Sequence, residues 1–375
     1  MTEAFALKSQ ILDLERSFAT LPREEDLVQE RLDSCTYPVL SLPNEIVALI
    51  FVHFLPPYPK PPPFRGLLSP TVLTQICCQW REIALACPDL WRAISLPEAS
   101  GDGNGLGALE MAEQWLNRSG CGPLSFEIVG LWSQSPEMLA IQYRARWEHV
   151  TLRSRHRPLP LDILERLGDL HGPCTLERPM PLLRHLGFST DGTDNLYPAD
   201  VPLLRSVVIH VGSRRFARMV LPCSQLTSLA IEKISVLECA PILQQVSNLT
   251  FCSLGVCSNL AVNGDLPNIY LPLLEGLYIS DPWRRPMTGF LDTLVTPRLL
   301  LLQIPEGFLG TDSFPWNKEK RKEALQSFIT KSGCTLRLLR IVVSELLGKD
   351  VKVYKSACPS AKVELRLRTK KSSRS

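Results

Sequence analysis

No Cys-x-x-Cys pair occurs in this chain, although it carries 12 cysteines, and no Cys/His set has zinc-finger spacing. Scattered thiols of this kind read as free residues of a reducing compartment. None of the six histidines lies in a His-Glu-x-x-His motif, and there is no Gly-x-Ser-x-Gly nucleophile turn. The glycine-rich stretch GDGNGLG at 101–107 lacks the Gly-Lys-Ser/Thr ending of a phosphate loop and the spacing of a dinucleotide fingerprint, so it reads as a turn before a helix. These absences leave no enzyme, no cofactor and no metal site to expect.

Charge of one sign is also missing. With 41 basic and 38 acidic residues, the net charge of +3 supplies no strong field for nucleic acid. The longest apolar run, 46–52, is far too short to span a bilayer. The opening MTEAFALKSQ has neither a basic n-region nor an apolar core, so no signal peptide is expected and the location should be cytoplasmic or nuclear. What remains is an ordinary globular composition, and 375 residues suffice for two or three domains.

The chain is organised around residues 42–91. Ser41 followed by Pro43 in the first helical turn signals a helix start, and nearly every residue from Ile46 to Leu55 is apolar. A helix that is apolar all round must be covered all round. About fifty residues are too few to do so by themselves, so the rest of the chain or a second protein must contribute. A proline-rich gap, PPYPKPPP at 56–63, follows and reads as a stiff connector. Ser69-Pro70 then restarts a helix. Val72, Leu73, Ile76, Cys77, Trp80, Ile83 and Ala84 follow three-four spacing, and Pro88 ends it.

Leu42-Pro43-Asn44-Glu45-Ile46, Ile50-Phe51, Val72-Leu73, Ile76-Cys77, Trp80-Arg81, Ile83-Ala84 and Pro88-Asp89-Leu90-Trp91 together resemble the F-box. The resemblance covers about fifty residues of the 375. It departs from the family in the long proline-rich gap and in Gln79 before Trp80, where a basic residue is usual. It implies three short helices that dock on the Skp adaptor of SCF ubiquitin ligases. The candidate adaptor contacts are Leu42, Pro43, Ile46, Ile50, Phe51, Leu73, Ile76 and Trp80, each of which has internal packing as its alternative role.

Strands are expected at 93–96, 123–128 and 147–152, with a helix over 106–117 between the first two. A repeat follows. The unit Leu-x-x-apolar-x-apolar occurs as Leu183-Leu186-Phe188, Leu204-Val207-Ile209, Leu226-Leu229-Ile231, Leu249-Cys252-Leu254, Leu274-Leu277-Ile279 and Leu299-Leu302-Ile304. The leading leucines are 21, 22, 23, 25 and 25 residues apart, and a proline often precedes them (Pro181, Pro202, Pro272, Pro297). Trp147-Val150-Leu152 and Leu336-Leu339-Ile341 have the same form outside the set. The last two apolar positions are two apart and so face one side of a strand. One strand cannot bury that side, but stacked units can. The pattern looks like an irregular leucine-rich repeat, lacking the Asn or Cys that follows the strand in regular versions. A sandwich or a set of unrelated strands is the rival architecture. Gly187, Val208, Ala230, Ser253, Tyr278 and Gln303 fall between inward positions and should face solvent; they share no charge sign, and no ligand class follows from them.

The expected fold class is therefore α+β or an α/β repeat: an N-terminal amphipathic helix (1–36), a three-helix F-box (37–97), a leucine-rich-repeat-like solenoid (98–368) and a basic tail (369–375). Residues 3–34 carry apolar positions at three- and four-residue steps, interrupted at Pro22. A helix is expected over 319–331 and a closing strand over 361–367. The basic clusters at 153–157 and after Arg366 read as solvated charge. The resemblance implies a substrate receptor that binds the Skp adaptor and an unknown target protein. Its alternatives are a ligase-independent repeat scaffold and an unrecognised hydrolase or nucleotide-binding protein.

Overall fold

The structure, a computed structural model, describes residues 30, 41–96, 104–129, 139–140, 142–153, 180–190, 201–211, 223–256, 267–280, 289–309, 318–343 and 351–367. Most of residues 3–34, the cluster at 154–157 and the tail at 369–375 lie outside them. Eleven strands form one parallel sheet in a mixed α/β fold. Their order is β1 (Ala93–Leu96), β2 (Leu124–Val129), β3 (Trp147–Arg153), β4 (His185–Thr190), β5 (Ser206–Val211), β6 (Ser228–Ile234), β7 (Phe251–Val256), β9 (Gly276–Ser280), β11 (Leu301–Pro305), β12 (Leu338–Val343) and β13 (Lys362–Leu367). The two ends do not meet, so the sheet is open rather than a barrel. The short strands β8 (Ile269–Tyr270) and β10 (Leu294–Val295) make a separate parallel pair.

Neighbouring strands pair in chain order with matched parity. Leu186, Val207, Leu229, Cys252, Leu277, Leu302 and Leu339 stand in one register row, and all are buried on the inner face. The prolines of the repeat have a local cause. Leu183 N–H bonds Met180 O, Leu204 N–H bonds Val201 O, Leu274 N–H bonds Leu271 O and Leu299 N–H bonds Thr296 O. In each four-residue turn the proline is the second residue, where its locked φ favours the bend. Leu90 N–H bonds Cys87 O across Pro88 in the same way.

Helices supply the rest of the core: α1 (Asn44–Phe54), α2 (Pro70–Leu73), α3 (Cys78–Ala86), α4 (Asn104–Arg118), α5 (Val236–Leu243), α6 (Phe290–Thr293), α7 (Lys318–Ser332) and α8 (Val351–Ala357). α5 opens with a full capping box between Ser235 and Glu238. α7 ends before Gly333, whose φ of +64° suits a glycine stop. One continuous cluster runs from Val47 and Phe51 through Trp91 and Trp115 to Ile341 and Ala361, so the first helices share a core with the sheet.

Three local expectations are corrected. Pro43 caps α1 from outside, without a side-chain bond, rather than lying in its first turn. The three-four stretch from Val72 to Ala84 is two helices, not one. Thr74 Oγ1 donates back to Thr71 O at 2.7 Å, Arg81 Nε–H donates to Thr74 O at 2.8 Å, and extended Cys77 caps the second helix. Gly187 is buried, not open to solvent: a Cβ there would sit 3.3 Å from the Thr151 side chain on the adjacent strand.

Candidate protein-docking faces

α1 divides into two stripes. Val47 and Phe51 are sealed in the core, Phe51 at 1% exposure, with its ring edge-on to Trp80 at 4.9 Å. Ile46, Leu49, Ile50 and Phe54 form the opposite stripe and are 40–56% exposed. Their spacing of three, four and eight residues places them on one helical face. Ile76, between α2 and α3, and Leu67 and Leu68, just before α2, are also open.

The eight candidate contacts therefore separate. Ile46, Ile50, Ile76 and Pro43 are exposed. Leu42 and Trp80 are partly buried against the core. Phe51 and Leu73 are buried within it. Leu49, Phe54, Leu67 and Leu68 belong to the open apolar surface and were not among the candidates. The helical spacing from Ile46 was the available signal for Leu49 and Phe54. Nothing local distinguished Leu67 and Leu68.

The same segment is clamped to the sheet. Trp91, fully buried, stacks edge-on against Trp115 at 5.6 Å, and Trp115 meets Phe64 at 4.8 Å. The proline-rich connector lies over the outer face of β2 and β3. Tyr58 donates its hydroxyl to Glu148 Oε2 at 2.8 Å, its ring stands edge-on to His149, and the Arg92 guanidinium lies 3.9 Å from the ring centre. Ser125 Oγ donates to Pro59 O at 2.7 Å. Burial and the Glu148 carboxylate push the Tyr58 hydroxyl pKa well up. Burial holds His149 and His185, stacked 6.2 Å apart, below the ordinary histidine value; at His149 the Glu148 carboxylate opposes this while Arg184 and Arg92 add to it, and His149 lowers His185.

Further along, the outer face is not covered by the connector. Phe251 and Tyr278 lie 4.9 Å apart at a tilt of 35°. They converge because Gly276, between them, has no side chain: a Cβ there would meet Phe251 at 3.2 Å and Tyr278 at 3.4 Å. At the last two strands Glu364 receives Arg340 at 3.1 Å, Lys362 at 2.9 Å and Arg366 at 4.0 Å. Hydrogen bonds from Lys362 and Arg340 hold its carboxyl below the usual range.

Burial raises the Cys239 thiol to about 12 and the Cys358 thiol to about 11, so both are protonated at neutral pH. Among the described residues no group of three His, Cys, Asp or Glu could hold a metal ion, and no helix is long and apolar enough to cross a membrane. No protein-family model matches the sequence, and no curated protein matches it.

Proposed function

We propose that this chain is the substrate-receptor subunit of an SCF-type ubiquitin ligase, with residues 37–97 acting as an F-box that binds the Skp adaptor. The strands that follow would act as a leucine-rich-repeat-like solenoid that presents a target. The reaction belongs to other subunits; this chain raises the target's effective concentration beside them. One observation carries the reading: Ile46, Leu49, Ile50 and Phe54 are left open on a helix whose other stripe is sealed. A contiguous apolar face of this kind on a folded chain calls for a partner. Burial of Phe51 on α1 and of Leu73 on α2 takes both out of the interface proposed, leaving Pro43, Ile46, Ile50 and Ile76 of the eight candidates as its centre, with Leu42 and Trp80 beneath.

The test uses purified full chain and purified Skp adaptor on size exclusion. The wild type co-elutes with the adaptor. Ile46→Asp with Ile50→Asp elutes alone while its melting temperature stays within a few degrees, since surface changes cost about 0.5 kcal/mol each. A folded double variant that still co-elutes overturns the assignment. A wild type that never co-elutes favours the ligase-independent scaffold.

A further inference from the structure

Among the described residues, the outer sheet face is covered at one end and open at the other. At β2 and β3 the chain's own connector places an aromatic ring on the strand side chains, with its hydroxyl on a carboxylate and a guanidinium above it. At β7 to β13 no described segment plays that part.

The open half has two chemistries side by side. One register row reads Phe251, Gly276, Leu301, Leu338, Lys362 across β7, β9, β11, β12 and β13. Phe251, Leu301 and Leu338 of this row, with Tyr278 in the adjacent row, form a partly exposed apolar strip over the buried Gly276; Phe251 is 38% exposed. The strip ends at a surplus of positive charge. Arg340, Lys362 and Arg366 converge on Glu364, the one carboxylate of β12 and β13. Among the described residues this single carboxylate neutralises one of the three cations and leaves two in excess. Lys362 and Arg366 keep most of their side-chain surface in solvent, at 77% and 60%.

We infer that this half of the outer face binds a peptide segment that carries one large apolar anchor and a short run of carboxylates. The anchor lands on the Phe251–Tyr278 pair, where Gly276 lets the two rings approach, and the carboxylates reach Lys362 and Arg366. Strands lie about 4.8 Å apart, so Tyr278 and the β13 cations are separated by about 14 Å. An extended peptide crossing the strands covers that span in about four residues. In calling the occupant a ligase target the inference rests on the receptor reading, but the surface chemistry stands without it.

The probe is a fluorescein-labelled synthetic peptide with one Trp and, four residues later, three consecutive Glu, titrated against the full chain by fluorescence anisotropy. Binding is expected in the micromolar range at low salt, and weaker by about tenfold at high salt because exposed charges are screened. Replacing the three Glu by Gln, or the Trp by Ser, weakens it by about tenfold. So does Lys362→Glu with Arg366→Glu, and so does Tyr278→Ala. Because charge reversal beside Glu364 could loosen the edge strand, Lys362→Ser with Arg366→Ser is measured in parallel and loses about threefold with an unchanged circular dichroism melt. Equal affinity for the Glu and Gln peptides, undiminished binding by the folded Ser variant, or no binding at about 1 mM chain overturns the inference. Adaptor co-elution is recorded on the same proteins. Peptide binding without adaptor capture sustains this surface and removes only the receptor reading.

Discussion

Trp91 donates its indole N–H to the carbonyl oxygen of Ala84 at 2.9 Å, seven residues earlier, and Trp147 does the same to Ala140 at 3.1 Å. Both tryptophans are buried, and each precedes or opens a strand of the sheet. The indole accepts the place held by the leading leucine in later units: Trp91-Ile94-Leu96 and Trp147-Val150-Leu152 have the same spacing as Leu204-Val207-Ile209. Near the end of α3 the bond also engages a carbonyl of the last helical turn, where intrahelical partners run out. The repeated unit thus begins inside the segment that resembles an F-box.

Trp91→Phe should cost about 2 kcal/mol, one part for the lost hydrogen bond and one for the unfilled volume. Trp147→Phe should cost a similar amount. Urea unfolding midpoints at constant slope measure both. Unchanged midpoints for either variant would mean that the bond and the packing contribute nothing there.

The two stripes of α1 should behave oppositely. Phe51→Ala opens a cavity beside Trp80 and should lower stability by about 3–5 kcal/mol. Ile50→Asp, one residue away on the open stripe, should change it by less than about 1 kcal/mol. Thermal melts of the two single variants check this, and similar losses for both would show that Ile50 is covered.

Under the C-terminal strands, Arg321 is buried against Glu306, and Tyr354 donates its hydroxyl to the same carboxylate at 3.0 Å. Glu306→Gln removes the negative charge facing the buried guanidinium and should cost about 3 kcal/mol. The double variant Glu306→Leu with Arg321→Met should recover most of that, because desolvating the pair offsets much of its attraction. A denaturation cycle over the wild type, Glu306→Leu, Arg321→Met and the double variant measures the coupling.

Acid should loosen the sheet near β3 and β4. His149 and His185 have folded pKa values below the unfolded one, chiefly through burial. Between the two values the unfolded chain binds more protons, so stability rises with pH across that window. It is full above the unfolded histidine value, near 6.5, and is lost as pH falls below it toward the folded values. The melting temperature should therefore drop from pH 7 to pH 5.5, and His149→Gln with His185→Gln should flatten the drop. An equal slope in that variant would assign it to other groups.

Much of the strand pattern was legible because parity is local. Two apolar residues two apart, following a Pro-bearing turn, define an inward face whatever the strand meets later. The helix over 106–117 and the strands at 93–96, 147–152 and 361–367 were read from the same short-range periods and lie where they were expected within a few residues. The break between α2 and α3 was not legible in three-four spacing, because Thr74 and Arg81 side chains stop the helix by bonding its backbone.

Amino-acid order alone determined which residues of each strand turn inward and that the segment from Ile46 to Leu55 carries more apolar surface than it can cover itself. Only the tertiary structure decided that Phe51 is sealed while Ile50 is open, that Tyr58 reaches Glu148 across 90 residues, and that Phe251 meets Tyr278 over Gly276. The physical reason is range: periodicity is set by backbone geometry within a few residues. Which side of an apolar helix is covered, and which distant side chains meet, depends on the packing of the whole chain.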